Sequence, residues 1–278
     1  GRTDQWRLET TVDYDADRRN KEYPETVEQA LEAPRQVSAF NSEKLDVLRM
    51  RVVPSLDPSA YAQFELPPSI RIWKLFQPGS KYTAFTDTSH GVGKDDGVTV
   101  IFDVDTGQVV ADIMNSLLAP EQLSWDSVKL LHYYDNPIWG IEINDWGIDT
   151  LKSAQRLGYT NLYKRSIGTG THKEPGWDTK EGTRHSLFGD LRRAIDAYEI
   201  TIFAEDGLSE FYTCIKNPDK HGRIEAMDGA KDDYVLAVGG AYQMIRYAHR
   251  SRGQIAGVSG LRVTAPLRQQ RSPNGSRW

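Results

Sequence analysis

YTAFTDTSHGVGKDDGVTVIFDVDTGQVV, residues 82–110, decides the fold. It contains three short runs in which apolar and polar residues alternate, the period of half-buried strands. Asp105-Thr106-Gly107 stands between the second and third runs and supplies a tight turn. The stretch therefore reads as an antiparallel meander. Its first run, Tyr82 to Phe85, has the apolar character of a central strand, yet it leads into Asp87. A carboxylate at the end of a buried strand is costly unless its charge is compensated, and a cation is one means of doing so. Capping the following turn is the simpler role for an Asp there.

Downstream the pattern changes period. Pro120 to Tyr134 reads as a helix, with Leu123, Val128, Leu131 and Tyr134 roughly on one face. Ile138 to Asn144 (IWGIEIN) is a near-continuous apolar strand interrupted by Glu142, which the alternation sets on the face opposite Ile141 and Ile143. Trp146 to Leu157 is a second helix, stopped by Gly158. Tyr159 to Tyr163 is a short strand. Residues 164–183 carry glycines and charges without a period and read as a long loop. Lys164, Arg165, Lys173, Lys180 and Arg184 make this region basic, suited to a phosphate backbone or simply solvated. A helix from Arg184 to Tyr198, a strand from Ile200 to Ala204, a helix from Leu208 to Ile215 and an edge strand from His221 to Ala226 follow. Strands alternating with helices after a meander predict an α/β domain with a mixed sheet.

Lys231-Asp232-Asp233 opens the last helix, packed through Tyr234, Ala237, Val238, Ala241 and Ile245. Aspartates in a first turn are electrostatically favourable and good caps. Yet they make a third acidic site, beside Asp87 and Glu142. If all three converge, the charges cannot all persist without a cation. Carboxylate oxygens suit Mg²⁺ or Mn²⁺, and two such ions suit phosphodiester hydrolysis.

With 38% hydrophobic and 26% charged residues, the 278-residue chain has an ordinary soluble composition. Its single cysteine, Cys214, excludes an internal disulfide framework or a cysteine zinc cluster and fits a reducing compartment. No apolar run is long enough to span a membrane, and no signal peptide is visible. The net charge of −5 excludes a uniformly basic nucleic-acid binder but permits a local basic surface around an acidic site. No P-loop motif is present. Upstream, Glu22 to Pro34 suits one helix, and Asn41-Ser42 a cap for another from Glu43 to Met50, before Pro54, Pro58, Pro67 and Pro68 break the chain. Residues 1–77 read as a linker extension packing on a domain at 78–250. Residues 251–278 form a basic tail, expected to be disordered beyond about Ser259; from Arg246 onward there is no Asp or Glu.

The motifs in order resemble the nuclease domain of phage terminase large subunits, a branch of the RNase H-like nucleases. Tyr23-Pro24-Glu25-Thr26 with Glu28 and Ala30 is similar to the Y-P-x-T-x-E-x-A segment joining that family's ATPase and nuclease parts. Asp87 is followed by Gly91 and Asp96, and Glu142-Ile143-Asn144-Asp145-Trp146-Gly147 resembles E-x-N-x-x-G. Gly158 to Tyr163, Gly176-Trp177-Asp178-Thr179 with Thr183-Arg184, then Glu225-Ala226 and Gly229 before Asp232-Asp233 complete the likeness, which covers roughly residues 23–247.

The resemblance implies an RNase H-like mixed β-sheet of five or more strands, flanked by helices, with the N-terminal linker extension. It implies Asp87, Glu142 and Asp233 as catalytic metal ligands, Asp232 as a fourth carboxylate, and Asp96 as a further candidate through water. Lys231, a departure from the family's usual His, would neutralise the cluster or contact DNA. Arg184 would hold a phosphate, and His90 a turn. The implied activity is metal-dependent cutting of double-stranded concatemeric DNA with little sequence preference, in the host bacterial cytoplasm. The implied partners are DNA, an upstream ATPase domain, the portal protein and the small terminase subunit. The basic tail would touch DNA or the portal. A Holliday-junction resolvase or other RNase H-like nuclease, and a non-catalytic DNA-binding or docking module, are the alternatives. Gly1 in place of Met suggests a piece of a longer protein.

Overall fold

Tyr82–Asp87 is buried along its whole length, so it must have neighbours on both edges and both faces. The computed structural model, which describes residues 38–250 apart from 168–171, 218, 219 and 221, supplies them. The central sheet has five strands: β1 (Ile70–Ile72), β2 (Tyr82–Asp87), β3 (Gly97–Asp103), β4 (Gln108–Asn115) and β5 (Ile138–Ile141). Their order is β1-β4-β3-β2-β5. The meander β2-β3-β4 and the edge strand β1 are antiparallel, whereas β5 joins β2 in parallel. Joining a parallel neighbour requires a crossover, and helix α2 (Pro120–Tyr133) makes it.

Alternation along β2 divides the core. Ala84 packs with Leu130, Leu131 and Ala154 on one face, towards α2 and helix α3 (Gly147–Arg156). Phe85 packs on the other face with Leu187, Phe211 and Val238. These belong to α4 (Glu181–Asp196), α5 (Glu205–Thr213) and α6 (Asp233–Gln243). Leu45 and Leu48 of the first described helix, α1 (Ser42–Arg49), are fully enclosed in this second core. Asn41 caps α1 by accepting from the N–H groups of Glu43 and Lys44, as expected.

A close approach fixes α6 on β2. A methyl at Gly240 would lie 2.3 Å from the Phe85 ring, so only glycine lets the helix sit there. A charged network holds the other end of the sheet. Arg71 forks onto Asp112 at 2.7 and 3.0 Å across the β1-β4 pair. It also reaches Asp206 at 2.6 Å, while the Tyr234 hydroxyl donates to Asp112 at 2.9 Å. Asp112 is fully buried, so its charge depends on these donors.

The structure corrects several expectations. Residues 164–183 are not a long loop: β6 (Lys164–Ile167) and β7 (His172–Pro175) form an antiparallel hairpin before α4 begins. Both strands are half-exposed, so no apolar alternation marks them. Tyr159 to Tyr163 and Ile200 to Ala204 form only single bridges, through Leu162 and Thr201, and are not full strands. Ile70–Ile72, within the segment read as an extension, is a strand of the central sheet. A last hairpin pairs β8 (Cys214–Asn217) with β9 (Arg223–Ala226). The expected helix Glu22 to Pro34, the Tyr23-Pro24 segment and the tail at 251–278 lie outside the described residues. Among those described, no helix is long and apolar enough to cross a membrane.

Candidate active site

Three elements bring the acidic residues together. Asp87 ends β2, on the same face as Phe85 and hence towards α6. β5 stops at Ile141, so Glu142 lies at its exit and not within a strand as expected. Its N–H donates to the Thr86 carbonyl at 3.0 Å, which continues the parallel pairing and sets Glu142 beside Asp87. Gly147 is needed here, because a methyl on it would collide with the Glu142 carbonyl at 1.6 Å. Asp232 stands at the N-cap position of α6 without a side-chain capping bond, and Asp233 is the helix's first residue.

The electrostatics follow from this placement. Asp87 is 8% exposed. Burial, then the charge and hydrogen bond of Glu142, then Asp233 and Asp232, push its carboxyl well above the usual carboxylate range. Asp233 is raised to about 7, chiefly by burial, although the Asp96 N–H donates to it at 2.7 Å and opposes the shift. Two cations stand at the rim. Lys231 pairs with Asp96 at 2.7 Å. Burial alone would lower the Lys231 pKa, but Asp96 more than offsets it and the ammonium is held.

Arg184 corresponds least to its expected phosphate-holding role. Its guanidinium is largely buried, pairs with Asp232 at 2.5 Å, donates to the Ile224 carbonyl and lies over Phe188. His90 stacks flat on Trp146 at 3.9 Å. The basic residues of the hairpin region are separate from the carboxylates. Lys164 and Lys173 are exposed on β6 and β7, Arg165 pairs with Glu174 at 2.9 Å, and Lys180 pairs with Asp178 at 2.9 Å.

Glu210 is a residue that the sequence pattern does not reveal. It lies on α5, only 6% exposed, and its Oε2 accepts the Tyr234 N–H at 2.7 Å, so it caps α6 from outside. Among the described residues its other oxygen has no hydrogen-bond partner. Burial raises its pKa to about 8, the Tyr234 N–H opposes the shift, and Asp233 adds to it. In EDGLSEFYT a Glu has the look of any solvated helix position, and only the packing of α5 on α6 gives it a role.

The donor set fits a hard cation: oxygen atoms only, partly buried, with like charges that raise one another. As the side chains stand, no three His, Cys, Asp or Glu among the described residues close around one point. Asp232 turns its Oδ2 to Arg184 and Asp233 its Oδ2 to the Asp96 N–H.

Neither the family models nor the curated proteins compared with this sequence match it. Solved structures do. The large terminase nuclease of thermophilic phage G20c with bound cobalt is 14% identical, with a TM-score of 0.57 over 74% of this chain and 96% of that one. The same nuclease with bound magnesium is 15% identical, with a TM-score of 0.56 over the same shares. The large terminase nuclease domain of Thermus phage P74-26 is 14% identical, with a TM-score of 0.55 over 72% of this chain and 94% of that one. The chain thus has the RNase H-like fold of the large terminase nucleases.

Proposed function

We propose that the protein is a metal-dependent endonuclease of a viral DNA-packaging motor, cutting double-stranded concatemeric DNA with little sequence preference. The convergence of Asp87, Glu142, Asp232 and Asp233 from two adjacent strand ends and one helix start carries this reading. Like-charged carboxylates in a half-buried site weaken the fold unless their assembly serves a purpose. These four side chains would hold two Mg²⁺ or Mn²⁺ ions, which when bound supply an activated water and stabilise the leaving oxygen.

The chain's own residues do the rest. Asp87 and Glu142, fixed to one another through the sheet, set one side of the site. Asp232 and Asp233, on α6, set the other. Arg184 pairs with Asp232 and in this reading would share its charge with a phosphate oxygen of the bound DNA. Lys231 restrains the loop bearing Asp96. The exposed Lys164, Lys173 and Lys180, with Arg165, offer positive charge to the DNA backbone along the hairpin region. The ATPase domain, portal and small terminase subunit are the partners this reading implies, in the cytoplasm of a bacterial host.

Supercoiled plasmid incubated with the protein should be nicked and linearised in Mg²⁺ or Mn²⁺ and stay intact in EDTA. Equal cutting in EDTA would remove the two-metal reading. Four-way junctions cut far faster than linear duplex would point to a resolvase. Metal binding without cutting would point to a non-catalytic module.

A further inference from the structure

A groove of about 930 Å³ lies outside the carboxylate cluster, between the base of the β6-β7 hairpin, helix α4 and the turn that follows α6. Its α4 wall is formed by Thr183, Ser186, Asp190 and Arg193, spaced three to four residues apart on one face. Arg184, Leu187 and Leu191 point about a third of a turn further round the helix, towards Asp232 and the core. The groove therefore neighbours the site, on a different face of α4 from the side chain that turns to Asp232.

Its walls combine cations with aromatic rings. Arg165, Lys180, Arg193 and Arg246 face it, with Tyr163 and Tyr247 at one end. Arg165, Lys180 and Arg193 have carboxylate neighbours in Glu174, Asp178 and Asp190. Arg246 contacts only the Gln243 amide oxygen, at 3.3 Å, and among the described residues pairs with no carboxylate. Tyr247 is 41% exposed, its ring braced edge-on against Tyr163 with centroids 5.3 Å apart. Trp177, also on the wall, is 8% exposed, and among the described residues its indole N–H has no acceptor.

We infer that this groove binds a single nucleic-acid strand, its phosphates on Arg193 and Arg246 and a base stacked on Tyr247. Guanidinium groups match phosphate oxygens, and an exposed, braced ring gives a base a sequence-tolerant platform. A duplex keeps its bases stacked internally and cannot use the ring, so the aromatic end favours a single strand. Trp177 links the groove to the site, because its carbonyl accepts the Ile143 N–H beside Glu142. The choice of nucleic acid as ligand rests on the nuclease reading.

The test uses the whole chain in EDTA, with a fluorescein-labelled twelve-nucleotide oligo-dT and a twelve-base-pair duplex as probes in anisotropy titrations. Tyr247→Ala should weaken single-strand binding about tenfold, and Tyr247→Phe should retain it. Arg193→Ala with Arg246→Ala should flatten the salt dependence of single-strand binding by about 1.4 in slope, the share of two phosphates. Duplex affinity should change little. Unchanged single-strand binding, or equal losses on both probes, overturns the inference. Plasmid nicking by the unaltered protein in Mg²⁺ is measured alongside. Its failure would remove the nuclease reading, while the strand titrations alone decide the groove.

Discussion

Replacing Glu210 by Gln should make the metal-free protein progressively more stable than the unaltered chain as the pH rises. In the unfolded chain this carboxyl ionises near its ordinary 4.5, whereas in the fold it holds its proton to about 8. Between those values the folded state binds one proton more, so stability falls with rising pH and levels off above 8. Each tenfold change in proton affinity is worth about 1.4 kcal/mol, so the whole window amounts to about 5 kcal/mol. Glu210 is only 6% exposed, so solvent screens little of this. Glutamine resembles the neutral acid: its oxygen can still accept the Tyr234 N–H. Its amide adds a buried donor that costs about 1–3 kcal/mol, but that cost does not vary with pH. The measured quantity is therefore the difference in unfolding free energy between Glu210→Gln and the parent. Urea titrations in EDTA at pH 5, 6, 7, 8 and 9 would give it. It should move in favour of Gln by up to about 5 kcal/mol across the window. A difference that stays flat with pH would show that Glu210 ionises normally and that its burial does not govern its charge.

Further outcomes follow from other contacts. Arg71→Ala should destabilise the fold by about 3–5 kcal/mol in urea unfolding, because Asp112 is left charged and buried; a loss under 1 kcal/mol would mean that Tyr234 alone satisfies it. Asp87→Ala, Glu142→Ala and Asp233→Ala should each abolish plasmid cutting, and in EDTA each should melt no lower than the parent, since one of several repelling carboxylates is gone. Full activity in Glu142→Ala would remove it from the ligand set. Lys164→Ala with Lys173→Ala should flatten the salt dependence of duplex binding by about 1.8 in slope if both touch phosphates; an unchanged slope would leave them as solvated charges.

The meander was legible because each of its strands carries its own apolar alternation, and the acidic positions were legible because each broke a pattern. Asp87 followed a run too apolar to end in a charge, and Glu142 interrupted an apolar strand. Whether they met was not legible locally, since it depends on β5 joining β2 in parallel, and nothing within either strand names its neighbour. The β6-β7 hairpin escaped detection because KRSI and HKEP are largely polar on both faces; backbone hydrogen bonds and the cross-strand Arg165–Glu174 pair define it instead of an apolar alternation. Arg184 was legible as a cation near the site, but its partner, Asp232, is 48 residues away. Glu210 gave no signal at all, because a buried Glu and a solvated one look alike in a helical sequence.

The contact at Gly240 ties the spacing of the carboxylates to a residue that bears no chemistry. Asp87 and Glu142 share a hydrogen-bonded sheet and cannot move apart, whereas Asp232 and Asp233 are carried by α6, whose depth is set two turns along by the absence of a side chain against Phe85. The helix acts as a calliper arm with Gly240 as its stop. A single added methyl there would lift the arm and widen the jaws without changing any acidic residue. On the proposed reading, cleavage should therefore be lost through apolar positions as well as through the carboxylates. A survey of inactive variants that looked only at charged residues would overlook the position that holds the gauge.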